Sequence, residues 1–414
     1  MDIFHLSARS TNIVPIMKIF PINTPEWPAR RGRRTYILAA LPLCFAFAGA
    51  GWAADAAPAV FATGLLSPSK IIATPGGSLL VAEAGQDPNT GRISILDSSG
   101  TRRTLIDGLP SGLAAPDMSA DGPNGIALNG NVLFVNVGEG DSFRNGPAPG
   151  TVVPNPAGPS SPLFASVLQI TFSADPATLA SGFTLASADQ FTLVDGDTVT
   201  LTNSEGATAA ITLLADFRSI PDAHAIYRNS HPYGMTLLAA QPDYLYITDA
   251  GMNTVLQIDL STGRHQVLAR FPNTQNPTKQ PPPFSEAVPT SVHPHGHKLL
   301  VSLLSGAPFV PGQSRIVEVD PATGNTTPFI ALLSSAIDVL YRGGSSAGDQ
   351  FFVLEYSGNL TQGAPGDLRY YTKTGRQVLA SGLNTPSSMA IDETSGSIFI
   401  TNRGDGTVLR IPLP

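Results

Sequence analysis

Cysteine is almost absent from this sequence: a single residue, Cys44, stands among 414. It lies inside the apolar run Tyr36–Ala50, preceded by Leu43 where a lipoprotein signal wants a small residue, and it is expected to leave with that segment. The remaining chain then has no disulfide, no thiolate metal site and no cysteine nucleophile. Basic charge is also scarce: 24 Lys and Arg face 31 Asp and Glu, for a net charge of −7. Phosphates are met by clustered cations, so nucleic acid is excluded as a partner. Long apolar runs are missing as well. Tyr36–Ala50 falls short of the roughly 20 apolar residues that cross a bilayer of about 30 Å, so no retained membrane span is expected.

The first 54 residues carry an export pattern. Arg30, Arg31, Arg33 and Arg34 precede the apolar run, and the small residues Gly51, Ala53 and Ala54 follow it. Arg33-Arg34-Thr35-Tyr36-Ile37 leaves the general and the twin-arginine routes both open. Met17 begins a signal of more ordinary length. Residues 1–54 are therefore read as an export signal with an upstream segment, cleaved near Ala53/Ala54. A periplasmic or extracellular monomer comprising residues 55–414 is expected.

Glycine and proline are plentiful, at 40 and 37 residues, and scattered between short apolar runs, as many turns joining short strands require. A repeat organises them. Its openings are Pro68-Ser69-Lys70-Ile71, Pro123-Asn124-Gly125-Ile126, Pro232-Tyr233-Gly234-Met235, Pro289-Thr290-Ser291-Val292, Ala336-Ile337-Asp338-Val339 and Pro386-Ser387-Ser388-Met389. Each precedes a run such as Leu79-Leu80-Val81-Ala82 or Ile398-Phe399-Ile400-Thr401, apolar on both faces as strands between neighbouring blades must be. A period near 50 residues signals a propeller. The fold class is all-β: a six-bladed β-propeller of four-stranded antiparallel blades. The chain stops after the third strand of its last repeat, and Ala59–Gly64 resembles a missing fourth. The terminal strands are therefore predicted to share the last blade and close the ring, which removes free sheet edges. The wide gap between Pro123 and Pro232 holds an insertion at about residues 174–210. We read it as an excursion on one face, with a hairpin of Phe191–Asp195 and Thr198–Thr202 around Asp195-Gly196-Asp197. The Pro-rich stretches 146–162 and 272–283 are expected to be long loops rimming a face.

The segments Leu79–Gly85, Asn229–Met235, Tyr244–Asp259, Val288–Val292, Ser302–Pro311 and Phe352–Glu355, in this order, resemble the ScyD/ScyE family of exported NHL-like propellers. The resemblance covers the mature chain except the insertion. It implies the six-bladed fold and export, and no agreed catalytic activity.

In such blades the start of the first strand and the end of the second share one face of the channel. Second-strand ends supply Glu83, Asp249, Glu355 and Asn402; first-strand starts supply Asn124, Tyr233 and Asp338. The carboxylates show no matching set of cations, Lys70 being the nearest. Hard cations take carboxylate and amide oxygens, so Glu83, Asn124, Asp249, Asp338 and Glu355 are the candidate ligands for Ca²⁺ or another divalent cation. Pro123-Asn124-Gly125 is similar to the turn of gluconolactonase-like propellers whose Asn holds the catalytic cation. His231, Tyr233 and Asn402 are candidate contacts for a small molecule or protein ligand. The leading expectation is a binding or accessory scaffold, the alternative a divalent-cation-dependent lactonase or esterase. His293-Pro294-His295-Gly296-His297 is read as an exposed turn. Ser346, within a Gly-x-Ser-x-Gly pattern, lies before a strand and not before the helix that a nucleophile elbow needs. Arg403-Gly404-Asp405 is read as a turn into the last strand.

Overall fold

The computed structural model describes residues 58–147, 152–217, 230–345 and 348–414. The export segment, its cleavage point and Ser346 lie outside the described residues. Six antiparallel sheets surround a central channel. Blade 1 is Pro68–Ala73, Leu79–Glu83, Gly91–Leu96 and Arg102–Leu109; blade 2 is Pro123–Asn129, Val132–Val137, Ser166–Phe172 and Thr208–Asp216. Blade 3 is Pro232–Leu238, Gln241–Asp249, Thr254–Asp259 and His265–Arg270; blade 4 is Pro289–His295, Lys298–Leu303, Ser314–Val319 and Thr326–Leu333. Blade 5 is Ala336–Ser345, Gly348–Glu355, Gly366–Thr372 and Gly375–Leu383. Blade 6 combines Pro386–Asp392, Ser397–Asn402 and Thr407–Pro412 with the N-terminal strand Ala59–Ala62, which pairs Ala59 with Arg410 and Val60 with Leu409. The first strands touch one another in sequence order, and the sixth returns to the first. The wheel is closed.

Each repeat opening supplies the innermost strand, and each doubly apolar run the second. Leu79, Leu80 and Val81 are buried from both sides, because one face of a blade packs on the preceding blade and the other on the next. Leu80, Ile93 and Leu105 of blade 1, for example, meet Ile126, Leu133 and Val135 of blade 2 in one apolar cluster. Full burial of each such side chain contributes about 1.5–3 kcal/mol. Hydroxyls at the strand starts stitch neighbouring blades near the channel. Ser69 donates to the carbonyl of Pro123, Thr290 to that of Ile337 at 3.0 Å, and Ser387 to that of Pro68 at 2.8 Å.

The insertion departs from expectation. Phe191–Asp195 is not a hairpin strand: Ser187–Val194 is a helix, and Val199–Thr202 pairs with the start of Thr208–Asp216 to give blade 2 a fifth strand. Phe183–Thr184 runs parallel to Ile106-Asp107 on the outer edge of blade 1. Gln190, buried on the helix, accepts from Ser161 at 2.7 Å and donates to the carbonyl of Gly108 at 3.2 Å. The insertion thus clasps the outer edges of blades 1 and 2. The Asp195-Gly196-Asp197 turn signal is real, but it ends a helix whose apolar residues Leu193 and Val194 join the inter-blade core. Among the described residues no helix is long and apolar enough to cross a membrane.

Candidate functional site

Long connections gather at the face where second strands end and first strands begin, and the sequence-predicted residues divide there into three groups. Glu83, Glu355 and Asp249 fasten their own blades. Glu83 accepts from Arg92 at 2.7 Å, from Ser94 and from the backbone N–H of Leu66. Glu355 pairs with Arg369 at 2.6 Å and accepts from the N–H of Ser334 at 2.7 Å. The expectation of carboxylates without cations is therefore corrected: Arg92 and Arg369 sit on the adjacent third strands. Register shows the signal that was passed over, since Glu83 stands directly across from Arg92. Asp249 accepts from Ser230, from the N–H of His231 at 2.9 Å and from the N–H of Met252 at 3.0 Å, and burial raises its carboxyl above the ordinary range.

Asp338 belongs to a second group, inside the channel. It stands 3.3 Å from Lys70 Nζ and 2.8 Å from His293 Nε2, and accepts from Ser388 Oγ at 2.9 Å and the N–H of Met389 at 3.0 Å. Lys70 Nζ also lies 3.1 Å from His293 Nε2. Blades 1, 4, 5 and 6 are thereby tied across the hub. The placing of His293 in an exposed turn is corrected. The first strand of blade 4 continues through His295, and its pattern of buried residues turns His293 into the channel. Burial and the charge of Lys70 lower its proton affinity.

The third group holds Asn124 and His231 with two residues the sequence reading did not select, Asp121 and Glu139. Asp121 ends a short hairpin, Gly112–Ala114 with Ser119–Asp121, between blades 1 and 2, and Glu139 follows the second strand of blade 2. His231 precedes the first strand of blade 3. Its Nε2 lies 3.2 Å from Asp121 Oδ1, its Nδ1 3.8 Å from Glu139 Oε1. Asn124 Nδ2 donates to Asp121 Oδ1 at 2.5 Å, and the N–H of Gly140 donates to Asp121 Oδ2 at 2.7 Å. Gly138 permits this convergence, because a Cβ there would collide with Asp121 Oδ1 and Asn124 Nδ2. The sequence signal, legible only afterwards, is the pair of carboxylates flanking this blade's strands in Asp121-Gly122-Pro123-Asn124 and Gly138-Glu139-Gly140.

Electrostatics separates the two carboxyls. Burial alone would raise Asp121, but the charge and hydrogen bond of His231 outweigh it and hold the group at about 2. Burial pushes Glu139 up to about 7, with His231 opposing and Asp121 and Asp249 reinforcing. Burial would lower His231, but Asp121 and Glu139 raise it to about 10. Near neutral pH the cluster is thus an Asp121 carboxylate, a His231 imidazolium and a Glu139 carboxyl poised between its two forms. Asn124 Oδ1 is buried there without a hydrogen-bond partner. Among the described residues no three His, Cys, Asp or Glu side chains meet in a geometry that would hold a metal ion.

Tyr233 and Asn402 complete the face. The Tyr233 ring stands 6.1 Å from the His231 ring and reaches across the hub to pack, with Leu304 and Tyr356, on the apolar cluster of blades 5 and 6. Asn402 is buried on blade 6, its Oδ1 without a partner.

No family model matches the chain, and no curated protein matches it. Solved propellers do resemble it. A virginiamycin B lyase from Staphylococcus aureus is 11% identical with a TM-score of 0.40 over 84% of this chain and 95% of that one. An oxidoreductase (glucose dehydrogenase) from Thermus thermophilus is 12% identical with a TM-score of 0.44 over 86% and 99%. The PQQ-bound aldose sugar dehydrogenase of Streptomyces coelicolor is 13% identical with a TM-score of 0.44 over 86% and 96%. At these values the likeness goes no further than the propeller fold.

Proposed function

We propose that this propeller is an exported hydrolase of small lactones or esters, with Glu139 as its proton carrier. The observation that carries the reading is the divergence of two buried carboxyls about one imidazole. Environments that push neighbouring proton affinities apart mark acid and base assignments, and a carboxyl near 7 is matched to proton transfer at neutral pH. Both nitrogens of His231 face carboxylates, so His231 positions and sets charge while Glu139 exchanges protons. In its ionised form Glu139 takes a proton from water as the water oxygen bonds to the carbonyl carbon. As the acyl C–O bond breaks, Glu139 returns that proton to the departing oxygen, leaving acid and alcohol.

A divalent cation such as Ca²⁺ belongs to the proposal through Asn124. Its unpartnered Oδ1 would gain a partner from such an ion, with Asp121 and Glu139 as neighbouring oxygen donors. Bound there, the ion would polarise the carbonyl. The proton steps above do not depend on it. Turnover of a panel of small lactones and aryl esters by the wild type and Glu139→Gln tests the reading, with elemental analysis and chelation run alongside. Glu139→Gln is expected to lower kcat by 10²-fold or more with little change in KM. Equal rates in both proteins would refute the assignment. Binding without turnover would favour the scaffold that the ScyD/ScyE resemblance implies, a reading supported by the structural engagement of Glu83, Asp249 and Glu355.

A further inference from the structure

We propose that Arg403, with Tyr233 and Tyr356, forms an anion-binding floor to the mouth, so that the molecule processed beside Glu139 carries a carboxylate on a compact apolar body. The inference rests on the reading of the mouth given above and adds the class of molecule. Arg403 follows the second strand of blade 6, held by its N–H to the carbonyl of Thr385 at 3.1 Å. Its side chain turns inward and hydrogen-bonds with Tyr233, which comes from blade 3 on the opposite side of a six-membered ring. This crosses the hub directly beside the His231 ring. One guanidinium nitrogen, Nη2, is buried and has no hydrogen-bond partner. A buried donor left unpaired is costly, and a planar guanidinium fork is completed best by a carboxylate or phosphate. Tyr356, on blade 5, lies close enough to Arg403 to feel its charge. Together the two tyrosines offer ring faces beside the free nitrogen, their other sides packed on the apolar cluster of blades 5 and 6.

The acidic side of the mouth decides between the two anions. Asp121 is near Tyr233, and Asp117 near Tyr356. A singly charged carboxylate meets less repulsion there than a doubly charged phosphate, and its apolar remainder lies along the rings toward Glu139. The Arg-Gly-Asp sequence thus places its arginine in the site, with Gly404 leaving room beside Asn384 and Thr385, where a Cβ would collide.

Calorimetric titration at pH 7 with benzoate, benzamide and phenyl phosphate tests the inference. In the wild type benzoate is expected to bind at least ten-fold more tightly than its neutral isostere benzamide, and more tightly than phenyl phosphate. The benzoate preference should disappear in Arg403→Gln and persist in Glu139→Gln. Equal binding of benzoate and benzamide by the wild type would overturn the proposal, as would a preference that survives Arg403→Gln. Tighter binding of phenyl phosphate would overturn the carboxylate assignment. The wild-type comparison decides even where a variant folds poorly. Failure of the hydrolase reading has a separate signature: no turnover in the ester panel, with the benzoate preference intact.

Discussion

Replacing Asp338 by Asn removes one charge from the hub and leaves the shape nearly unchanged, so it isolates the cross-channel ion pair. The carboxylate is buried, stands 3.3 Å from Lys70 Nζ and 2.8 Å from His293 Nε2, and also receives Ser388 Oγ and the N–H of Met389. Without it the Lys70 ammonium is left in the channel facing an imidazole. Breaking a buried pair from one side costs about 3–5 kcal/mol. An unfolding entropy of about 2.1 cal/mol/K per residue over roughly 350 residues converts this to a Tm loss of about 4–7 °C. Denaturant unfolding at pH 7 and thermal scans read both quantities. The double variant Lys70→Met/Asp338→Leu should recover part of the loss, because it removes both charges. The pair also fixes a pH dependence. Burial would raise the Asp338 carboxyl, but Lys70 and His293 hold it well below its unfolded value of 3.8. Its stabilisation is therefore complete above that value and lost as pH falls through the folded one; Asp338→Asn should lack this acid loss. A cost below about 1 kcal/mol, the level of an exposed pair, would refute the reasoning.

Other expectations concern the mouth and the clasp. Gly138→Ala should abolish turnover in the ester panel while leaving the fold recognisable by circular dichroism, because the added Cβ displaces Asp121 and Asn124. His231 binds its proton more tightly folded than unfolded, so its ion pairs stabilise fully below about pH 6.5 and are lost as pH rises through about 10. Stability curves of His231→Gln should be flatter over that interval. Gln190→Ala, read by denaturant unfolding, should cost about 1–3 kcal/mol by stranding the Ser161 hydroxyl and Gly108 carbonyl; no loss would show that the insertion does not clasp blade 1.

The wheel was legible because its signal is repeated. Six openings, six doubly apolar runs and an unpaired strand before Pro68 state the same period, and the closure follows from where the chain starts and stops within it. The insertion carried no repeat to check against, and a helix of eight residues was mistaken for a strand. At the mouth, sequence position identified the face but not the partners. Glu83 and Glu355 lie where expected, yet each meets an arginine from the neighbouring strand. Asp121 and Glu139 lie just outside the strands, in connections whose course depends on Gly138, Gly140 and a hairpin. His293 shows the same limit: one further residue pair of strand moves it from a turn into the hub. Strand patterning specifies the scaffold, whereas the site depends on loop geometry, which alternation of polar and apolar residues does not encode.

The account turns on a buried carboxyl that shares its proton near neutrality. Carbon-13 NMR titration of glutamate carboxyls, comparing the wild type with Glu139→Gln and His231→Gln, measures this directly. One resonance should titrate near pH 7, vanish in Glu139→Gln, and move upward in His231→Gln, where the opposing imidazolium is gone. A Glu139 that titrates near its ordinary value of 4.5, unmoved by the loss of His231, would contradict it.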